Sequence, residues 1–284
     1  MDRKDHRSAQ VKVQRGGACA HDTVLRESPL RVGVAARAGE PIAAWSTLRT
    51  PGHDLDLALG WCVAEGLVRS MTDVVDVQRC TDADGRSRPD DVTVRLATPA
   101  LPTRLLAGTA ARTTSTAACG LCGRDDLHAL LDRCPPAPRT DVHTSLRTLA
   151  ALLIELELYQ PLHAATGGAH AAALGTADGQ LLQVREDVGR HNAVDAVVGA
   201  AVRGDQQADV LLLSGRAGFE LVSKAVAARV AVVAAVGAAT DLAVATAEAA
   251  GITLVAFVGR SHGGTVLTHP DRLGLDMPAL GGPR

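Results

Sequence analysis

The sequence predicts an α/β chain, α+β overall, in which a small strand-rich domain precedes an α/β domain. Three observations carry this. Apolar residues alternate strictly at Val92, Val94 and Leu96, as in a half-buried strand, within a first hundred residues that show only one helical pattern. From Val142 onward helical and strand patterns take turns, as crossovers in a mostly parallel, helix-covered sheet require. Hydrophobic residues make up 46% of the chain but aromatics only 2%, so the core must be filled by Ala, Val and Leu through many small contacts.

Residues 1–20 are polar and without period, and are expected to form a mobile tail. The strand-rich domain is expected over 21–110. Leu30–Val34 and Ile42–Thr47 read as a hairpin turned by Ala38-Gly39-Glu40-Pro41. Pro51-Gly52-His53-Asp54 opens a helix with Leu55, Leu59, Cys62 and Val63 at helical spacing and Gly66 as its stop. His53 reads as a structural cap, and Cys62 as a packing residue. Val74–Arg79 and Val92–Leu96 are strands across an Asp84-Gly85 turn. Residues 111–141 are expected to be a linker with a short helix at 125–133, ended by Pro135-Pro136-Ala137-Pro138.

The α/β domain is expected over 142–284. Leu146, Leu149, Leu153 and Leu156 line a helix, Leu181–Val184 is a strand, and Arg190–Val202 is a helix. Asp209–Ser214 is a buried strand before a helix at Phe219–Arg229, and the theme repeats at Val230–Val236, Leu242–Ala250 and Ile252–Val258. Ligands bind such sheets beyond the carboxyl ends of the strands. Four turns qualify: Thr166-Gly167-Gly168-Ala169-His170, Arg185–Asn192, Ser214–Gly218 and Phe257–Gly264. The third follows a strand and opens a helix, so its amides and Arg216 are suited to a phosphate.

Charge narrows the function. With 29 basic and 31 acidic residues, a net charge of -2 and no basic stripe, the chain is not expected to bind nucleic acid. The most apolar run, Val230–Thr240, is far short of the ~20 residues that span a bilayer. The charged start, Met1–Gln14, shows no signal peptide, so a soluble cytoplasmic protein is expected. Of six cysteines only Cys119 and Cys122 are close, in Ala118-Cys119-Gly120-Leu121-Cys122-Gly123-Arg124. That spacing suits a metal ion, a disulfide or a sulfur atom in transit. Cys134 and His128 do not make a second ligand pair, which weakens zinc. The linker position weakens thioredoxin chemistry. Arg124 and a following helix would lower a thiol pKa, favouring sulfur carriage.

Several stretches occur in one order across about residues 23–273: Arg49-Thr50-Pro51-Gly52-His53-Asp54, Cys119–Gly123, Thr166–Ala173, Arg185–Asp195, Ser214-Gly215-Arg216 through Lys224, Ile252–Phe257 and Thr268-His269-Pro270-Asp271-Arg272. Together they resemble the FdhD (FdhD/NarQ) family, accessory sulfurtransferases of formate dehydrogenase. The resemblance implies a sulfurtransferase that takes sulfur from a cysteine desulfurase of the IscS type. It passes the sulfur to the molybdenum cofactor, Mo-bis-molybdopterin guanine dinucleotide (Mo-bis-MGD), before insertion into the formate dehydrogenase catalytic subunit. It implies a persulfide on Cys119, with Cys122 as its companion, a homodimer, and a C-terminal domain similar to cytidine deaminases. Cofactor contacts are implied at Phe257, Val258, Gly259, Arg260, Ser261 and His262, which correspond to the guanine-recognising stretch, and at Gly215, Arg216, His170, Arg190 and His191. No structural metal is expected.

The chain departs from the family pattern after Phe257. Arg260 comes one residue late, Gly264–Leu267 offers neither Asn nor Tyr, and Gly237-Ala238-Ala239-Thr240 lacks the usual proline. A zinc deaminase, the alternative from another enzyme class, needs H-x-E and P-C-x-x-C, and the sequence has neither. A non-catalytic cofactor chaperone with structural or metal-holding cysteines is the remaining alternative.

Overall fold

A computed structural model describes residues 6–82, 84–97, 141–259 and 263–274. The cysteine loop with Cys119 and Cys122, the helix expected at 125–133, and Arg260, Ser261 and His262 all lie outside the described residues. The described chain forms two compact units. One takes the residues up to 97 together with Gln160–Ala171 and Arg185–Gln206; the other takes 141–159, Ala172–Val184 and the residues from Gln207 on. The units therefore interleave along the chain, whereas the sequence reading assigned everything after 141 to one α/β domain.

The first unit begins with a hairpin of β1 (Ser8–Arg15) and β2 (Ala18–Leu25), paired from Ser8↔Leu25 to Arg15↔Ala18. For residues 8–20 this replaces the expected mobile tail with paired strands. Gly16 and Gly17, with φ of 59° and 86°, make the two-residue turn in which both central residues need positive φ. The Gly-Gly pair between alternating runs was the available signal. A four-stranded sheet follows in the order β4-β3-β6-β5, built from β3 (Ser28–Ala35), β4 (Pro41–Arg49), β5 (Val74–Thr81) and β6 (Ser87–Leu96). Both expected hairpins form, β3 pairs β6 in parallel, and Leu30, Val32, Val34, Val92, Val94 and Leu96 are buried.

Helix α1 (Asp54–Ala64) packs against β5 and β6 and against a second helix that lies in the Arg185–Gln206 stretch of this unit. That partner is α4 (Arg190–Arg203), and between them glycine is obligatory. A Cβ on Gly60 would lie 1.8 Å from the Asp195 carbonyl oxygen, and one on Gly199 would lie 1.9 Å from that of Asp56. The two backbones touch. Trp45 on β4 and Trp61 on α1, the only tryptophans, stack with ring centroids 5.2 Å apart. Cys62 is a packing residue as expected, and burial pushes its thiol pKa up. The short α3 (Pro161–Thr166) completes the unit.

The second unit contains α2 (Leu146–Leu158), which buries Leu149, Leu152, Leu153 and Leu156. Its sheet has the order β12-β11-β10-β9-β7-β8, from β7 (His170–Gly175), β8 (Leu181–Asp187), β9 (Val210–Leu213), β10 (Val232–Ala235), β11 (Thr253–Ala256) and β12 (Thr265–Val266). Strands β9, β10 and β11 pair in parallel, whereas β7 runs antiparallel to β9, and β12 antiparallel to β11. The sheet is mixed rather than mostly parallel. Strand β7 was not expected, because Ala171-Ala172-Ala173 has no branched side chain to mark a strand and its place between β9 and β8 settles it. Helices α5 (Phe219–Ala227) and α6 (Asp241–Ala250) follow β9 and β10. Among the described residues no helix is long and apolar enough to cross a membrane.

Candidate functional site

Within the first unit the Arg49–Asp54 and Arg185–Asn192 stretches meet. Arg49, 1% exposed, donates from Nε to Asp54 Oδ1 at 2.7 Å and from Nη2 to Asp90 Oδ1 at 3.0 Å. Arg79 reaches the other Asp54 oxygen at 2.7 Å. Asp56 is held by Arg185, from Nη2 at 2.9 Å, and by Arg203 at 2.7 Å. Two buried carboxylates on the first turn of α1 thus each bind two guanidinium groups. A buried charge must be paired, so these residues are committed to each other.

Asp187 lies one step further along the same contact. Its Oδ2 accepts the Thr50 N–H at 3.0 Å, and its Oδ1 accepts the Gly189 N–H at 2.8 Å and Asn192 Nδ2 at 3.0 Å. The Thr50 hydroxyl in turn accepts the Val188 N–H at 3.1 Å. Burial pushes the Asp187 carboxyl up to about 7, against those three hydrogen bonds and the pull of Arg49. His53 takes the N-cap position of α1, as expected of a cap, but its side chain makes no capping bond. Burial, then Arg185, hold its pKa below the usual value, with Asp56 opposing. His53 is therefore a neutral imidazole at neutral pH.

The Thr166–His170 turn is largely structural. Gly167, in the left-handed region at φ 66°, ends α3, and His163 Nδ1 lies 2.9 Å from the Ala169 carbonyl oxygen. Glu186 accepts the N–H groups of Leu162 and His163 at 2.9 and 2.8 Å, capping the start of α3. His170 opens β7, half-buried. Arg190 and His191, also half-buried, are the first two residues of α4.

In the second unit the loops at the carboxyl ends of β9, β10 and β11 are joined through their backbones. Gly237 N–H donates to the Gly215 carbonyl at 2.9 Å, Phe257 N–H to the Gly237 carbonyl at 3.2 Å, and Val258 N–H to the Ala235 carbonyl at 3.0 Å. Ala217 and Thr240 add bonds of 3.0 and 3.1 Å between the first two loops. A Cβ at Gly237 would lie 2.9 Å from Arg216 N and from Gly215 C and O, so the loops meet where only glycine fits. Phe257 has a φ of 57°, a strained conformation for an aromatic residue and a common mark of working sites. Gly259 also has positive φ, at 85°. The Arg216 side chain is exposed at the mouth of the β9–α5 loop. Gly215, Arg216, Phe257, Val258 and Gly259 are thus brought into one assembly at the strand ends, next to the start of α5. An exposed arginine beside glycine turns at the start of a helix suits a phosphate-bearing ligand.

Thr268–Arg272, prominent in the sequence, instead ties down β11. Thr268 Oγ1 donates to the Ile252 carbonyl at 2.6 Å and accepts the Leu254 N–H at 3.0 Å, while buried Arg272 donates to Thr253 Oγ1 at 3.2 Å. Sequence reasoning missed Asp187, Asn192 and Gly237 as individual residues. Asp187 and Asn192 lay in a stretch already marked as polar, and Gly237 lay where a proline was looked for.

A family model described as the FdhD/NarQ family matches residues 26–274. The chain is 42% identical over 282 residues to the sulfur carrier protein FdhD of Anaeromyxobacter dehalogenans (strain 2CP-C), covering 95% of each chain. It is 42% identical over 261 residues to the protein of that name from Mycobacterium tuberculosis (strain ATCC 25618 / H37Rv), covering 89% of this chain and 92% of the other. A crystal structure described as that of a candidate formate dehydrogenase accessory protein from Desulfotalea psychrophila aligns with a TM-score of 0.69 at 21% identity, covering 94% of this chain and 98% of that one. At that identity the structural likeness speaks for the fold alone.

Proposed function

The chain belongs to the FdhD/NarQ family, and from that premise we propose that it is a sulfur carrier that serves formate dehydrogenase. Sulfur arrives from a cysteine desulfurase of the IscS type. The Cys119 thiolate attacks the terminal sulfur of the donor's persulfide, a new S–S bond forms on Cys119, the donor's S–S bond breaks, and the donor leaves as a thiolate. Cys122, two residues past Gly120, is the companion thiol. The Cys119 S–S bond then breaks, Cys119 leaves as the thiolate, and the outer sulfur passes to Mo-bis-MGD, which is the substrate, for use in the formate dehydrogenase catalytic subunit. The protein works in this reading as a cytoplasmic homodimer.

The observation that carries the proposal is near full-length identity of 42% to proteins named sulfur carriers, in a chain that has the Cys119–Cys122 pair. The strand-end loops of the second unit support it. Mo-bis-MGD bears guanine nucleotides, and Gly215, Arg216, Phe257, Val258 and Gly259 make a surface suited to phosphates. His170, Arg190 and His191, with Arg260, Ser261 and His262, are assigned to the same substrate.

The test is incubation of the full chain with a cysteine desulfurase and cysteine, followed by mass spectrometry of the peptide holding Cys119. One added sulfur is expected, absent in Cys119→Ala. An active desulfurase that leaves Cys119 unmodified would sink the proposal and favour a non-catalytic cofactor chaperone.

A further inference from the structure

We propose that Asp187 is a positioning residue that holds the turn before α4, and with it Arg190 and His191, in the orientation that sulfur delivery requires. The inference rests on the sulfur-carrier reading above and assigns the two halves of that reaction to different parts of the chain.

The geometry is that of a clamp closed on one turn. Both peptide N–H groups that precede Arg190 are tethered, Gly189 to Asp187 Oδ1 at 2.8 Å and Val188 to Thr50 Oγ1 at 3.1 Å. Asp187 Oδ2 takes the Thr50 N–H at 3.0 Å, so one carboxylate joins the end of β4 to the turn. Asn192 locks the arrangement. Its Nδ2 donates to Asp187 at 3.0 Å and to the Leu48 carbonyl at 2.7 Å, and its Oδ1 accepts from Thr47 Oγ1 at 3.2 Å. The space is filled as well, since a Cβ on Gly189 would meet Asn192 Nδ2 at 3.1 Å and Asp187 Oδ1 at 3.5 Å.

Two facts separate positioning from folding. The body of α4 is already anchored by the Gly60–Gly199 backbone contact and by the Arg203–Asp56 ion pair, well beyond the turn. And the Gly189 N-cap supplies no side chain of its own, so the direction in which the chain enters α4 is set by Asp187 and Asn192 instead. Arg190 and His191 are half-buried on that first turn, where a change of entry angle moves them directly.

The experiment uses the full chain with Asp187→Ala, Asp187→Asn and Gly189→Ala. Sulfur loading is read by mass spectrometry of the Cys119 peptide after incubation with desulfurase and cysteine. Delivery is read as formate dehydrogenase activity restored in cells lacking the endogenous carrier, and folding as thermal unfolding. Loading at the wild-type level with delivery reduced roughly tenfold or more is expected for Asp187→Ala and Gly189→Ala. Asp187→Asn, which keeps an oxygen for the Gly189 N–H, should fall between them and the wild type. A merely structural residue would lower loading and delivery together as folded protein is lost, and that pattern would overturn the proposal. So would a folded Asp187→Ala with undiminished delivery. If Asp187→Ala fails to fold, Gly189→Ala decides by the same two readings. A wild-type chain that neither loads nor delivers sulfur removes the sulfur-carrier reading, and the proposal with it.

Discussion

The two units handle their polar residues in opposite ways. In the first, Arg49, Asp54 and Asp56 are buried and paired with charges of opposite sign, Arg185 closes on Asp56, and Asp187 is held by the Thr50 and Gly189 N–H groups and Asn192. In the second, the strand-end loops are tied by backbone bonds among Gly215, Gly237 and Phe257, while Arg216 faces solvent. A stretch dense in charged residues therefore turns out to be mostly scaffold, and a stretch of small residues leaves its arginine exposed. The reason is electrostatic. A guanidinium enclosed by carboxylates has no donors left for a substrate, whereas Arg216 stays exposed beside the glycine turns.

If that contrast is right, the largest effect should come from opening the buried ion pairs. Arg49→Ala leaves Asp54 with only Arg79 and should cost about 3–5 kcal/mol in chemical denaturation, as for other buried pairs broken on one side. The fluorescence of Trp45 and Trp61 makes the first unit visible in that measurement, since both tryptophans lie there. A cost below about 1 kcal/mol, the level of a surface pair, would erase the distinction.

Asp187 comes next. Its carboxyl titrates at about 7 when folded against about 4 when unfolded, so the folded chain holds the extra proton between those values. Stability from this group is fully present below pH ~4, falls as the pH rises to ~7 and is level above, by at most about 4 kcal/mol. Asp187→Asn lacks this titration, so the variant should gain on the wild type steadily between pH 5 and pH 7. Parallel stability curves across that range would refute the buried, proton-holding carboxylate.

Gly60→Ala should cost roughly 1–3 kcal/mol, because the new methyl must force α1 from α4. An unchanged denaturation midpoint would show that the helices do not touch as described. The smallest effect on stability belongs to the second unit. Arg216→Ala should change unfolding by less than about 0.5 kcal/mol, yet weaken binding of guanosine diphosphate about tenfold in calorimetry, as loss of a charge-assisted phosphate contact would. Stability loss without loss of binding would make Arg216 scaffold too.

Much of the fold was legible. Period-two alternation at Val92–Leu96 and period-3.6 leucines at 146–156 mark elements whose buried face repeats locally, and both formed as read. The triple alanine of β7 carried no such mark, and the hairpin over 8–25 was passed over although Gly16-Gly17 announced its turn. Gly215 and Arg216 lie beyond a strand end as read, because a strand followed by a glycine turn and a helix leaves few alternatives, and Phe257 follows β11. His53 was read as a cap by position, and it takes that position without its ring making the bond.

By itself the sequence determined the family, the cysteine pair and most of the element order, since these depend on residue identity and short-range spacing. Only the tertiary structure decided that residues 185–206 belong with the first unit, that the sheet is mixed, and that Asp187 clamps the turn before Arg190. The first and last of these rest on contacts between residues more than a hundred positions apart, such as Gly60 with Asp195 and Thr50 with Asp187. Close approach of two backbones and burial of a carboxylate are properties of a place in space, and nothing in the local pattern around either partner encodes them.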